Sequence, residues 1–103
     1  MKEKVRKMSV RLVITLSAAP GKGTQLAKAF AARCEEVMKE PGCEHFEVFQ
    51  SLLDADRLTL LELWKDQAAL DAHAAVNATR RPLPAGLIAG SPQREDYEYN
   101  RTR

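Results

Sequence analysis

The chain has 103 residues, 45% hydrophobic and 29% charged, the balance of one folded domain rather than of a disordered segment. No apolar run approaches the roughly 18 residues that a membrane helix needs, and no signal-peptide core follows the charged start, so the expected location is the cytoplasm. The formal net charge is +2, yet residues 12–93 carry 8 Lys and Arg against 10 Asp and Glu. The basic excess therefore lies in the two ends, which argues against a nucleic-acid surface, where basic side chains should sit on a structured face among aromatics.

Residues 1–8 read as a basic tail and residues 9–103 as a single domain, with Met8 as well as Met1 able to serve as the start. Val10, Leu12, Ile14 and Leu16 alternate with Arg11, Val13, Thr15 and Ser17, the period of a strand. Ala19-Pro20-Gly21-Lys22 ends it with residues suited to a type II turn. A helix is expected from about Thr24 to Lys39, where Leu26, Phe30, Cys34 and Val37 form one stripe, and Pro41-Gly42 stops it.

Cys43 to Gln50 reads as a second strand, with Phe46 and Val48 on one face and His45, Glu47 and Phe49 on the other. After the polar turn at Asp54-Ala55-Asp56, Arg57 to Lys65 forms a third strand. It places Leu58, Leu60, Glu62 and Trp64 on one face and Thr59, Leu61 and Leu63 on the other. Asp66 is a suitable N-cap for a second helix through about Val76, with Ala69, His73 and Val76 on one face and Leu70 beside them. Prolines 82, 84 and 92 and glycines 86 and 90 break up the next stretch, leaving one short turn around Leu83 to Ala89. Arg94 to Arg101 is expected as a fourth strand with Tyr97 and Tyr99 on one face.

The order β-α-β-β-α-β predicts an α+β, ferredoxin-like domain with a four-stranded antiparallel sheet. Its helices cover one face only. Because the other face carries Leu61 and Leu63, the simplest cover is a second copy of the chain, a C2 homodimer. Cys34 and Cys43 are expected as free thiols.

Three runs carry a family resemblance: Pro20-Gly21-Lys22, Glu40-Pro41-Gly42-Cys43, and the stretch Leu61-Glu62-Leu63-Trp64-Lys65-Asp66-Gln67-Ala68-Ala69-Leu70-Asp71-Ala72-His73. Together they resemble the antibiotic biosynthesis monooxygenase domain, including its quinol monooxygenases, over roughly residues 9 to 100. The resemblance implies a dimeric α+β barrel with a pocket between helices and sheet in each subunit. It also implies oxidation of a small phenolic, quinol or anthrone-type aromatic by O₂, with no metal or other cofactor. The charge placement and the lack of a long apolar run lead to the expectation of no nucleic-acid and no membrane partner. Many members carry a second histidine where Ala78 stands, and the haem-degrading branch carries an asparagine in the first strand, nearest to Ile14 here. The haem reading is therefore disfavoured. Isomerisation of a small oxygenated metabolite, or plain binding of a hydrophobic one, remain alternatives on the same fold.

His73 is the candidate base, since imidazole titrates near neutrality; a lone helix histidine is otherwise an ordinary packed residue. Glu62, between Leu60 and Trp64 on a covered face, needs some partner and is expected to orient His73. Trp64 suits core packing and pocket lining alike, and the resemblance favours the pocket. Leu60, Leu70, Phe46 and Arg80 complete the expected substrate-binding set. Cys34, Cys43 and His45 lack the spacing of a closed zinc site. Ala19-Pro20-Gly21-Lys22-Gly23-Thr24 resembles a phosphate loop, but its first glycine is missing, with Leu16 in that place.

Overall fold

The computed structural model describes residues 8–100; the rest of the expected basic tail and the arginines at 101 and 103 lie outside the described residues. The elements are β1 (Ser9–Ser17), α1 (Gly23–Val37), β2 (Cys43–Gln50), β3 (Arg57–Trp64), α2 (Gln67–Asn77) and β4 (Gln93–Tyr99). The strands form one sheet in the order β2-β3-β1-β4, every pairing antiparallel. This is the expected α+β, ferredoxin-like βαββαβ arrangement.

The alternation read from the sequence sorts the two faces. Val10, Leu12, Leu16, Leu58, Leu60 and Trp64 are buried beneath the helices together with Phe46. The register sets Leu12 opposite Glu62 and Ile14 opposite Leu60, so the inner face is continuous across the central strands. On the outer face Val13, Leu61 and Leu63 are only half-buried, and Phe49 and Tyr97 are exposed.

Helix α1 begins at Gly23, whose backbone N–H donates to Asp56 Oδ1 at 2.9 Å while Gly21 N–H donates to Oδ2 at 3.0 Å. A Cβ at position 23 would stand 1.7 Å from the carbonyl oxygen of Ala55, so glycine alone lets the β2–β3 hairpin approach this closely. The loop resembling a phosphate cradle therefore has these two N–H groups occupied by the chain's own carboxylate. Leu26, Phe30 and Val37 are buried as the helical stripe requires.

Asp66 caps α2 as expected, accepting from Ala69 N–H at 2.9 Å. Ala69, Leu70 and His73 are buried, whereas Val76 in the last turn is exposed. The proline-rich stretch makes a turn at residues 85–86 and an isolated bridge between Ala18 and Ile88. Leu87 is buried there, its carbonyl accepting from Ala19 N–H at 2.8 Å. No helix of the described residues is long and apolar enough to cross a membrane.

Candidate active site

Between the inner sheet face, both helices and the 78–92 segment lies a cavity of about 620 Å³, within the range of small-molecule sites. Leu12, Leu60 and Phe46 form its floor, Phe30 and Leu70 its helical sides, and Leu83 with Ile88 its far wall. Most of this surface is hydrocarbon or aromatic. Glu62 and His73 bring polar groups to the wall, and Arg33, Asp71 and Arg94 stand there as well.

The polar groups are held by a connected set of contacts. His73, buried in α2, has its Nδ1 3.0 Å from Glu40 Oε1 and 3.2 Å from Oε2. Its ring stacks on Trp64, with centroids 4.6 Å apart and planes at 29°, and Phe46 meets it at 5.7 Å in a tilted arrangement. Trp64 donates its indole N–H to Glu62 Oε1 at 2.9 Å. Glu40 also forms an ion pair with Arg80, whose Nη2 stands 2.6 Å from Glu40 Oε2, and Arg80 Nε lies 3.5 Å from Glu36 Oε2.

Local chain geometry puts Glu40 there. After α1 the chain turns through Glu40-Pro41-Gly42, with Glu40 N–H donating to the Val37 carbonyl at 2.9 Å and Gly42 at φ +81°. The Gly42 carbonyl accepts from Lys65 N–H at 2.9 Å, and a Cβ on Gly42 would stand 2.5 Å from that of Ala69. The turn is thus docked on the first turn of α2. His73 lies four residues beyond Ala69, on the same helical face, within reach of Glu40.

Three expectations change. Glu62 does not orient His73: as a neighbour two positions along β3 it shares a face with Trp64 and bonds the indole, and the carboxylate on His73 Nδ1 is Glu40. Trp64 is fully buried behind His73 and does not reach the cavity wall. Arg80 does not line the cavity either, because its guanidinium is drawn to Glu40 and Glu36. His73, Glu62, Leu60, Leu70 and Phe46 do meet at the cavity, and so do Ile14 and Ala78. Sequence reading missed Glu40 as a partner of His73, although Glu40-Pro41-Gly42 marked a tight turn, and it missed Arg33 and Arg94 at the rim.

Burial pushes the Glu62 carboxyl above its ordinary range, against the lowering effects of the Trp64 N–H bond and of the nearby His73 and Arg94. A carboxyl shifted this way in an apolar cavity is a candidate for proton exchange or hydrogen bonding with a ligand. At the rim, Arg94 grips Asp96 through two bonds of 2.7 and 2.8 Å, which hold the Asp96 carboxyl below its ordinary range. Burial raises both thiols, Cys43 to about 11. Among the described residues no cluster of three or more His, Cys, Asp or Glu could hold a metal ion.

The fold recurs in solved structures. A candidate antibiotic biosynthesis monooxygenase from Nitrosomonas europaea superposes with a TM-score of 0.79 at 23% identity, covering 94% of this chain and 95% of its own. A protein from Pseudomonas aeruginosa gives 0.77 at 22% identity, covering 95% and 100%. One from Shewanella oneidensis gives 0.74 at 26% identity, covering 91% and 93%. No curated protein matches the chain. The family model of the antibiotic biosynthesis monooxygenases matches residues 9–81, a span running from β1 through α2 and including Glu40, Glu62, Trp64 and His73. With that match over most of its length, and with the sheet and helices arranged as described, the chain belongs to the antibiotic biosynthesis monooxygenase family.

Proposed function

We propose that the protein is a cofactor-independent monooxygenase whose substrate is a small electron-rich aromatic of the phenol, quinol or anthrone type. The observation that carries this reading is an apolar cavity of ring-accommodating size with the imidazole of His73 in its wall. Such substrates, once deprotonated, can pass an electron to O₂ themselves, so the protein has to bind, take a proton and exclude water. His73 takes the proton at Nε2, the nitrogen not bonded to Glu40. The substrate anion then reduces O₂, the two radicals combine to a peroxide anion at carbon, and His73 returns its proton to make the hydroperoxide. O–O cleavage with loss of the hydrogen on that carbon releases water and leaves a new carbonyl. One oxygen atom stays in the product and the other departs as water. Leu60, Leu70 and Phe46 contact the ring, and Glu62 hydrogen-bonds a substrate oxygen.

The reading extends to the assembly and its setting: a cytoplasmic homodimer in which a second copy covers the outer sheet face. Val13, Leu61 and Leu63 support this, because they adjoin across β1 and β3 on the outer face, with Phe49 and Tyr97 exposed near its margins, and no element of the described chain covers them.

The test is O₂ uptake by purified protein against a panel of quinols, anthrones and polyphenols, with boiled protein and His73→Ala as controls. Uptake that the variant loses supports the reading. No uptake anywhere, with ligands still altering the fluorescence of Trp64, would replace it with a binding protein or an isomerase.

A further inference from the structure

We propose that Glu40 and Arg80 act together as a positioning pair that fixes the tautomer of His73; the inference deepens the role given to His73 above and rests on that reading for its catalytic consequence. A carboxylate has only acceptor sites. With Glu40 Oε1 and Oε2 at 3.0 and 3.2 Å from Nδ1, the neutral ring carries its proton on Nδ1. The lone pair is then on Nε2, the nitrogen left for a ligand in the cavity. Without this partner the two tautomers of imidazole compete, and the form with its proton on Nε2 presents a donor where a base is needed.

Arg80 makes this arrangement specific. Its Nη2 lies 2.6 Å from Glu40 Oε2, so the two oxygens are divided, one chiefly to the imidazole and one to the guanidinium. The pair is shielded from water: the side chains of His73, Glu40 and Arg80 are 9%, 12% and 15% exposed. Arg80 stands just beyond α2 and Glu40 just beyond α1, so the contact also ties both helix ends around the His73 ring. Neither residue lines the cavity, which makes both positioning residues rather than catalytic ones.

Dividing the oxygens this way leads to an unusual expectation for Glu40→Gln. The amide has one oxygen, and the charged guanidinium takes it. Its NH₂ then faces Nδ1 as a donor, so Nδ1 must become an acceptor and the ring proton moves to Nε2. An Asp→Asn exchange beside a catalytic histidine lowers turnover about 10⁴-fold through the same tautomer error. Removing Arg80 as well, in Glu40→Gln/Arg80→Met, frees the amide oxygen to turn towards Nδ1 and restores the productive tautomer.

The experiment is ¹⁵N NMR of histidine-labelled protein above the pH at which the rings titrate. His45, on the opposite sheet face and bonded to Glu47, is the other of the two histidines and reports that each variant is folded. Wild type should show Nδ1–H at His73, Glu40→Gln should show Nε2–H, and the double variant should return to Nδ1–H. Glu40→Asp, which keeps two acceptor oxygens, should retain the wild-type tautomer. On substrate, kcat in Glu40→Gln should fall 10²- to 10⁴-fold with KM changed little. Nε2–H in the wild type, or an unchanged tautomer in Glu40→Gln, overturns the proposal. A switched tautomer in a protein that consumes no O₂ upholds the positioning pair and removes the oxygenase reading instead.

Discussion

Trp64 and Glu62 stand two residues apart on the covered face of β3, and the indole N–H of the first is bonded to the carboxyl of the second at 2.9 Å. Trp64 is completely buried and Glu62 is 3% exposed, so this bond links the packed core to the wall of the cavity. A polar group buried this deeply needs its partner, since an unmade bond leaves the full desolvation cost.

Replacing Trp64 with Phe keeps an aromatic ring against His73 but removes the donor to Glu62. Urea unfolding should show a loss of about 1–3 kcal/mol. A second comparison, Trp64→Phe in a Glu62→Gln background, should show a smaller loss, because a neutral amide left without its donor is less costly to bury than a carboxylate.

Glu62 also sets a pH dependence. Because burial raises its carboxyl above the ordinary value, the folded chain holds this proton more tightly than the unfolded one. Its favourable contribution is complete below the unfolded value and is lost as pH rises through the raised one. Glu62→Gln, which keeps an oxygen for the Trp64 N–H, should therefore raise Tm by a few degrees at neutral pH. The gain over wild type should shrink towards zero as pH falls below about 4. A constant difference across pH would show that the carboxyl is not the source.

Gly23→Ala should be far more damaging than Gly21→Ala. The first places a Cβ 1.7 Å from the Ala55 carbonyl oxygen, whereas the second meets nothing within 4 Å and bears only the strain of φ +78°. Chemical denaturation should show a loss of several kcal/mol at position 23 and about 1 kcal/mol at position 21.

Leu63→Arg, on the outer face, should leave the folded core intact and convert the proposed homodimer to monomer in sedimentation velocity. A wild-type protein that sediments as a monomer, or a variant that stays dimeric, would place the subunit contact elsewhere or remove it.

The elements and their faces were legible because they follow from local rules. Period-two alternation in residues 10–16 and 57–64 assigned the buried faces of β1 and β3, and Asp66 announced α2. The wall residue Leu60 followed from the β3 face, Phe46 from the face read for β2 and Leu70 from α2, and the family resemblance singled out His73. The partner of His73 was not legible in the same way. Glu40 is 33 positions away in sequence, and its contact depends on Gly42 letting one turn dock on Ala69. Glu62 was the wrong choice because spacing along a strand predicts a shared face but not which neighbour takes the hydrogen bond. Arg80 was expected in the substrate-binding set; two carboxylates, of α1 and its following turn, meet it instead.

The central claim is that His73 takes a proton from an aromatic substrate in the cavity. Its most direct test is an anaerobic absorbance titration at neutral pH with a hydroxyaromatic or anthrone whose anion absorbs well to the red of its neutral form. Without O₂ the chemistry stops at deprotonation. Wild-type protein should generate the anion band on binding, and His73→Ala should bind the same compound without it. The band appearing equally in both proteins, or in neither despite binding, would contradict the claim.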